Sequence, residues 1–223
     1  MAIPVLIIGR SGSGKTYSLK NFKAEEVGVI SVEKGRLPFK TDIKTVRVPA
    51  DPTGGEANND PVKINAAKYA WITSVIRGAK AKAIVIDDSQ YLMVNELFDR
   101  ANEKGYDKFT FMAKKFRDLI HFVNELEEED KIVYFLHHSE SDTDGREKVK
   151  TVGKMLDEKL TVEGCFDIVI YCQDHKFFTQ SNGQSTAKTP EDMFPLEIPN
   201  DLKMVDRTIR EYYGMEMPYK EDK

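Results

Sequence analysis

The chain has 223 residues, 33 basic and 37 acidic side chains, a formal net charge of −4 and a pI near 5.7. That size suits one α/β domain with a sizeable core, and the acidic balance excludes a monomer that coats duplex DNA through a general basic surface, though not a local or oligomer-built basic groove. No apolar run approaches the roughly 20 residues that cross a bilayer, and the N-terminal one lacks a basic leader, so no membrane partner and a cytoplasmic location are expected.

In chain order, Ile3–Ile8 reads as a buried strand that runs into Gly9-Arg10-Ser11-Gly12-Ser13-Gly14-Lys15-Thr16. This fits G-x-x-x-x-G-K-[ST] at every fixed position, and Tyr17-Ser18-Leu19 continues it into a predicted helix over Lys15–Phe22. Glycines let the backbone curl so that its N–H groups point at phosphate oxygens, and a helix N-terminus adds positive potential. Lys15 supplies a point charge for the β- and γ-phosphates, and the Thr16 hydroxyl a Mg²⁺ ligand. Gly9, Arg10, Ser11, Gly12, Ser13, Gly14, Lys15, Thr16 and Tyr17 are therefore the expected nucleoside triphosphate-binding residues.

Val27–Val32 reads as a second strand ending at Glu33. A carboxylate there can polarise a water beside a γ-phosphate; the alternative is a solvated acid paired with Lys34 or Arg36. Thr45–Val48 reads as a short strand, 49–61 as a loop, and Val62–Gly78 as a helix. Ala83–Asp87 is an apolar strand ending in Asp87-Asp88, the form of a Walker B element. Asp87 is expected to hold Mg²⁺ with Thr16. Asp88 either orients water or caps the next helix. Helices are expected over Leu92–Asn102 and Phe109–Glu128.

Lys131–Leu136 reads as the fourth main strand, ending at His137 and His138. Only one of two adjacent strand residues can face a nucleotide, and His138 is the one favoured; a γ-phosphate sensor here is what a resemblance to RecA-like proteins implies, the alternative being two ordinary polar residues at a strand end. Ser139–Lys150 reads as a flexible loop. Its Arg146, Lys148 and Lys150, with Lys154 and Lys159 beyond, form a locally basic stretch diluted by Glu140, Asp142, Asp144 and Glu147. Val152–Val162 reads as a helix and Phe166–Cys172 as a strand, whose side chains at Cys165 and Cys172 fall on opposite faces. His175–Gln180 and Gln184–Lys188, around Asn182-Gly183, read as a hairpin. Lys188 reads as a solvated edge lysine; the other reading is the one that a resemblance to RecA-like assemblies implies, where a basic residue near this place reaches the nucleotide of a neighbouring copy. Asp201–Tyr213 is a closing helix capped by Asn200 or Asp201, and Lys220–Lys223 a frayed tail. Alternating strands and helices imply a mostly parallel sheet with helices on both faces.

The stretches GRSGSGKTYSLK, GVISVEKGRL, AIVIDDSQYL, VYFLHHSE and TAKTPEDMF resemble core-only RecA-like ATPases, and more closely the phage ATP-binding proteins classed with Sak-type single-strand annealing proteins. The resemblance implies a three-layer P-loop NTPase fold of RecA-like type with a C-terminal β-hairpin. It implies ATP and Mg²⁺ as cofactors, hydrolysis with Lys15, Glu33, Asp87, His138 and Lys188 as catalytic residues, and a homo-oligomer, ring or filament. It also implies single-stranded DNA and a phage single-strand-binding protein as partners, in host cytoplasm. Histidine stands where that group commonly has a sensor glutamine. Rival readings are an AAA+ helicase loader, a small-molecule kinase and a non-hydrolysing ATP-binding module. A hairpin where a helical lid would stand weighs against the first. The arginine-rich lid of a kinase is missing, Arg146 being the sole arginine between Arg117 and Arg207. No guanine-reading N-K-x-D element occurs.

Overall fold

A computed structural model describes residues 2–127, 130–153 and 161–219. Its strands are β1 (Ile3–Gly9), β2 (Val27–Ser31), β3 (Thr45–Arg47), β4 (Ala83–Asp87), β5 (Ile132–Ser141), β6 (Glu147–Val149), β7 (Ile168–Gln173), β8 (Lys176–Phe178) and β9 (Glu197–Pro199). Its α-helices are α1 (Pro61–Gly78), α2 (Tyr91–Asp99), α3 (Asp107–Asn124) and α4 (Leu202–Tyr213). One mixed sheet runs β3-β2-β4-β5-β1-β7-β8-β9, with β6 paired to β5 alone. The six strands from β3 to β7 are parallel, and β8 turns back antiparallel to both β7 and β9.

The central strands are apolar on both faces along their middles, up to the carboxyl ends, because both faces are covered. Leu6 and Ile8 of β1 join Ile72, Ile76, Phe116 and Ile120 in one core, and Val5 and Ile7 join Leu19, Leu202, Val205 and Ile209 in the other. The result is a three-layer α/β P-loop NTPase fold. Each fully buried Leu or Ile contributes about 1.5–3 kcal/mol. Two of the helices, α1 and α4, start at side-chain caps. Asp60 accepts the N–H groups of Val62 and Lys63 with Pro61 in the first turn, and Asp201 accepts those of Lys203 and Met204. Gly214, in the left-handed region at φ 65°, ends α4.

β5 lies between β1 and β4, in register Gly9 with His138 and Ile86 with Phe135. The glycine-rich loop, the end of β5 and the end of β4 are therefore neighbours along one edge of the sheet. Ligands of open α/β sheets bind at this carboxyl edge.

Three expectations change. The helix expected over Lys15–Phe22 is a 3₁₀ segment, Thr16–Asn21. Ser18 donates its hydroxyl to the Lys15 carbonyl at 2.6 Å, the acceptor that an α-helical Leu19 N–H would use. The loop expected over Ser139–Lys150 is partly sheet: β5 continues to Ser141 and pairs with β6. The hairpin around Asn182-Gly183 does not form. The hairpin instead joins β7 to β8 through Asp174 and His175, at φ 48° and 57°. Residues 184–188 bridge elsewhere, Ser185 to Glu147 and Lys188 to Val169. The middle of the helix expected over Val152–Val162, with Lys154 and Lys159, lies outside the described residues, as do Glu128 and the tail Lys220–Lys223.

Candidate nucleotide-binding site

The glycine-rich loop turns tightly against its surroundings. A Cβ on Gly9 would stand 2.4 Å from the Cys172 carbonyl oxygen, and one on Gly14 2.4 Å from Asn200 Nδ2. Gly14 also has φ 108°, which side chains rarely adopt. The loop is propped from behind by the C-terminal third of the chain. The His175 N–H donates to the Ser13 carbonyl at 3.0 Å, Cys172 Sγ to the same oxygen at 3.2 Å, and Asn200 Nδ2 to the Gly14 carbonyl at 3.0 Å.

A cleft of about 530 Å³ opens over this edge. Ser11, Gly12, Gly14, Lys15, Thr16 and Tyr17 line it from the loop; Glu33, Asp87, Asp88 and His138 line it from the strand ends. Lys15 is buried and donates to the carbonyls of Gly9 and Arg10 at 2.7 and 2.9 Å. Burial pulls its pKa below the usual lysine value, against the fields of Asp87 and Asp88. Thr16 Oγ1 donates to Asp87 Oδ1 at 3.0 Å. Burial, then the charge of Asp88, pushes the Asp87 carboxyl up to about 6. A hydroxyl and a carboxylate this close are the hard-oxygen pair that suits Mg²⁺, which keeps water and phosphate oxygens as its other ligands.

Asp88 is held at φ 60°, an unusual conformation outside glycine, and its Oδ1 lies 3.0 Å from His138 Nε2. Tyr91 packs edge-on against the same imidazole. The neighbouring His137 points into the core instead. Its Nδ1 meets Ser89 Oγ and its Nε2 the Lys150 carbonyl, each at 2.9 Å. A neutral ring satisfies both by donating from Nε2 and accepting at Nδ1. Burial lowers its pKa to about 4.

Glu33 sits just beyond β2, half-buried, and accepts from Asn95 Nδ2 at 2.7 Å. It makes no ion pair with Lys34 or Arg36 among the described residues. Other expected residues fall outside the cleft. The Arg10 guanidinium turns away and binds Glu147 at 2.6 Å and Ser141 at 2.6 Å. With Ser13 it lines a separate pocket behind the loop. Ser13 Oγ is buried without a hydrogen-bond partner. Lys188 is exposed and pairs with Val169 near the start of β7, the end of the sheet away from the loop. Within this chain it does not line the cleft.

Asn95, His175 and Asn200 were not expected at the site. His175 packs its ring edge-on against Tyr17, 5.2 Å between centroids. Asn200 and His175 lie some 160 to 190 positions from the loop in sequence, and only the left-handed turn at Asp174-His175 hints at their place. Asn95 is one amide within a helix and carries no sequence signal.

No curated protein matches the chain. A family model described as an AAA domain, AAA_24, matches residues 1–194. With the phosphate loop, the Thr16–Asp87 pair and the strand order in place, the chain belongs to this AAA domain family and is a nucleotide-binding P-loop ATPase.

Proposed function

We propose that this chain is a Mg²⁺-dependent, RecA-like ATPase that works with single-stranded DNA and completes its sites between copies. The observation that carries the hydrolytic part is Glu33, a carboxylate bordering the cleft across from Lys15, with its partner Asn95 positioning it. The DNA and assembly parts rest on the resemblance to Sak-type proteins.

Loop amides and Lys15 neutralise the β- and γ-phosphates. Thr16 and Asp87 would hold a Mg²⁺ ion, which would supply charge neutralisation on the phosphate oxygens. Glu33 takes a proton from the attacking water as its oxygen bonds to the γ-phosphorus and the bond to ADP breaks. His138, fixed by Asp88 and Tyr91, presents one hydrogen-bonding group toward the phosphates. Lys188 of a neighbouring copy adds a cation at the developing charge.

Steady-state ATP hydrolysis across protein concentration, with and without single-stranded DNA, tests this reading. Turnover rising more than linearly with protein and stimulated by DNA is expected. Lys15→Ala abolishes binding or turnover, and Glu33→Gln lowers turnover by about 10²-fold or more with binding retained. Wild-type turnover in Glu33→Gln overturns the base; hydrolysis that is linear and indifferent to DNA overturns the assembly and DNA roles.

A further inference from the structure

The two limbs of the phosphate loop are held in different ways. The second limb, Ser13 and Gly14, rests on His175, Cys172 and Asn200. The first limb, Arg10 to Gly12, is exposed, and neither Ser11 nor Gly12 makes a hydrogen bond among the described residues. Ser11 and Gly12 line the nucleotide cleft on one side and, on the other, a pocket of about 490 Å³ that Ser141 and Glu147 also border. This limb is therefore a thin wall between two cavities, and its position depends on what Arg10 holds.

The Arg10 carbonyl accepts from Lys15 Nζ at 2.9 Å and from the Ser13 N–H at 3.2 Å. Lys15 cannot keep its whole hold on the loop while it works. It gives one N–H each to the Gly9 and Arg10 carbonyls, and an ammonium has three. Engaging both the β- and γ-phosphates takes two, so at least one loop carbonyl is released. The Arg10 guanidinium is tied independently of the nucleotide. Its Nε and Nη2 donate to Glu147 Oε1 at 3.0 and 2.6 Å, and Nη2 also to Ser141 Oγ at 2.6 Å. Glu147 is the fixed end of this clasp. It is buried, and its carboxylate also accepts from the Ser139 and Ser141 hydroxyls at 2.5 and 2.8 Å. Its main chain is pinned too, the N–H to the Gln184 carbonyl at 2.8 Å and the carbonyl to the Thr186 N–H at 3.0 Å.

We propose that Glu147 is a positioning residue of the nucleotide site: by clasping Arg10 it holds the first limb against the terminal phosphate, and so sets the preference for a triphosphate over a diphosphate. This rests on the ATP reading of the cleft and needs no DNA. Glu147 does not line the nucleotide cleft and acts through Arg10. The clasp ties the first limb to β5, the strand that carries His138, whereas the second limb is tied to the turn between β7 and β8. His138 marks the γ-phosphate end in the reading above. The amides beside Lys15 and Thr16, on the well-supported limb, serve a diphosphate and a triphosphate alike. Those of Ser11 and Gly12 come into use only with the longer chain.

The test is a pair of titrations of the full chain with Mg²⁺ present, one with a fluorescent ADP and one with a fluorescent, non-hydrolysable ATP analogue. Arg10→Ala and Glu147→Gln are each expected to weaken the triphosphate about tenfold, the worth of one hydrogen bond to a charged group, and the diphosphate less than about twofold. The double variant loses no more than the larger single loss, because the pair acts as one unit. Arg10→Ala alters an exposed side chain and so reads the ratio in an intact fold. Equal losses for both nucleotides mark a merely structural role and overturn the proposal. So does triphosphate binding left at the wild-type value in either variant, or two losses that add. Failure of the wild type to bind the triphosphate overturns the ATP reading as well.

Discussion

His137 and His138 share one strand and one chemistry, yet the pleat gives them opposite fates. His138 meets the carboxylate of Asp88 in the cleft, while His137 is fully buried between Ser89 and the Lys150 carbonyl. The fold keeps His137 neutral, lowering its pKa from 6.5 to about 4. Below pH 6.5 the unfolded chain takes up this proton and the folded chain does not. Stability from this residue is thus complete above pH 6.5 and declines as pH falls toward 4, by at most about 1.4 kcal/mol per pH unit. Thermal unfolding between pH 7 and 4 checks it: the wild-type midpoint drops, and His137→Gln, less stable at pH 7, shows a shallower slope. At this scale the sequence pointed to the residues that border the cleft where it placed a strand end: Asp87 closes β4, Glu33 lies just past β2, and His138 stands three residues before the end of β5. It was silent on Asn95 and Asn200, whose roles depend on which chain segments meet.

Among the elements, β4 was legible to the residue because Ala83–Asp87 is apolar on both faces and flanked by polar residues. The end of β5 was not, since Ser139-Glu140-Ser141 resembles a loop when its strand partner is the three-residue β6. Asn182-Gly183 carried the stronger hairpin signal, but the chain turned at Asp174-His175, where contacts to the phosphate loop hold two non-glycine residues at positive φ. Helix α4 contains a fully buried ion pair, costly to desolvate. Asp206 and Arg210 are fully buried and joined at 2.5 Å, with Tyr134 donating to Asp206 at 2.8 Å and Tyr219 donating to its other oxygen. Asp206→Ala leaves the guanidinium without its counter-charge and costs about 3–5 kcal/mol. Urea unfolding at pH 7 reads this as a lower midpoint. A variant as stable as the wild type would show that the remaining bonds of Arg210, to the Asp130 and Glu216 carbonyls, suffice.

For the whole molecule, strand–helix alternation foretold the parallel sheet and its carboxyl-edge site. The contribution of the last thirty residues was hidden, because β9 and α4 act through long-range contacts. Leu202, Val205 and Ile209 cover Val5, Ile7, Tyr134 and Ile170. A chain cut after residue 194 uncovers that face and removes Asn200 from Gly14. It is expected to lose cooperative unfolding and nucleotide binding together, measured by near-ultraviolet dichroism and by a fluorescent ATP analogue. A soluble, nucleotide-binding fragment would show that the 3₁₀ segment covers this face by itself.

The thiol of Cys172 lies against Ser13 inside the phosphate-binding turn, its pKa raised to about 11 by burial. The one other cysteine of the chain, Cys165, packs against the core on the opposite side of the sheet. The molecule thus carries a natural chemical clock at its nucleotide loop: alkylation of Cys172 can proceed only as fast as that turn lifts off its support, so labelling in a Cys165→Ser background reads the breathing of the loop directly.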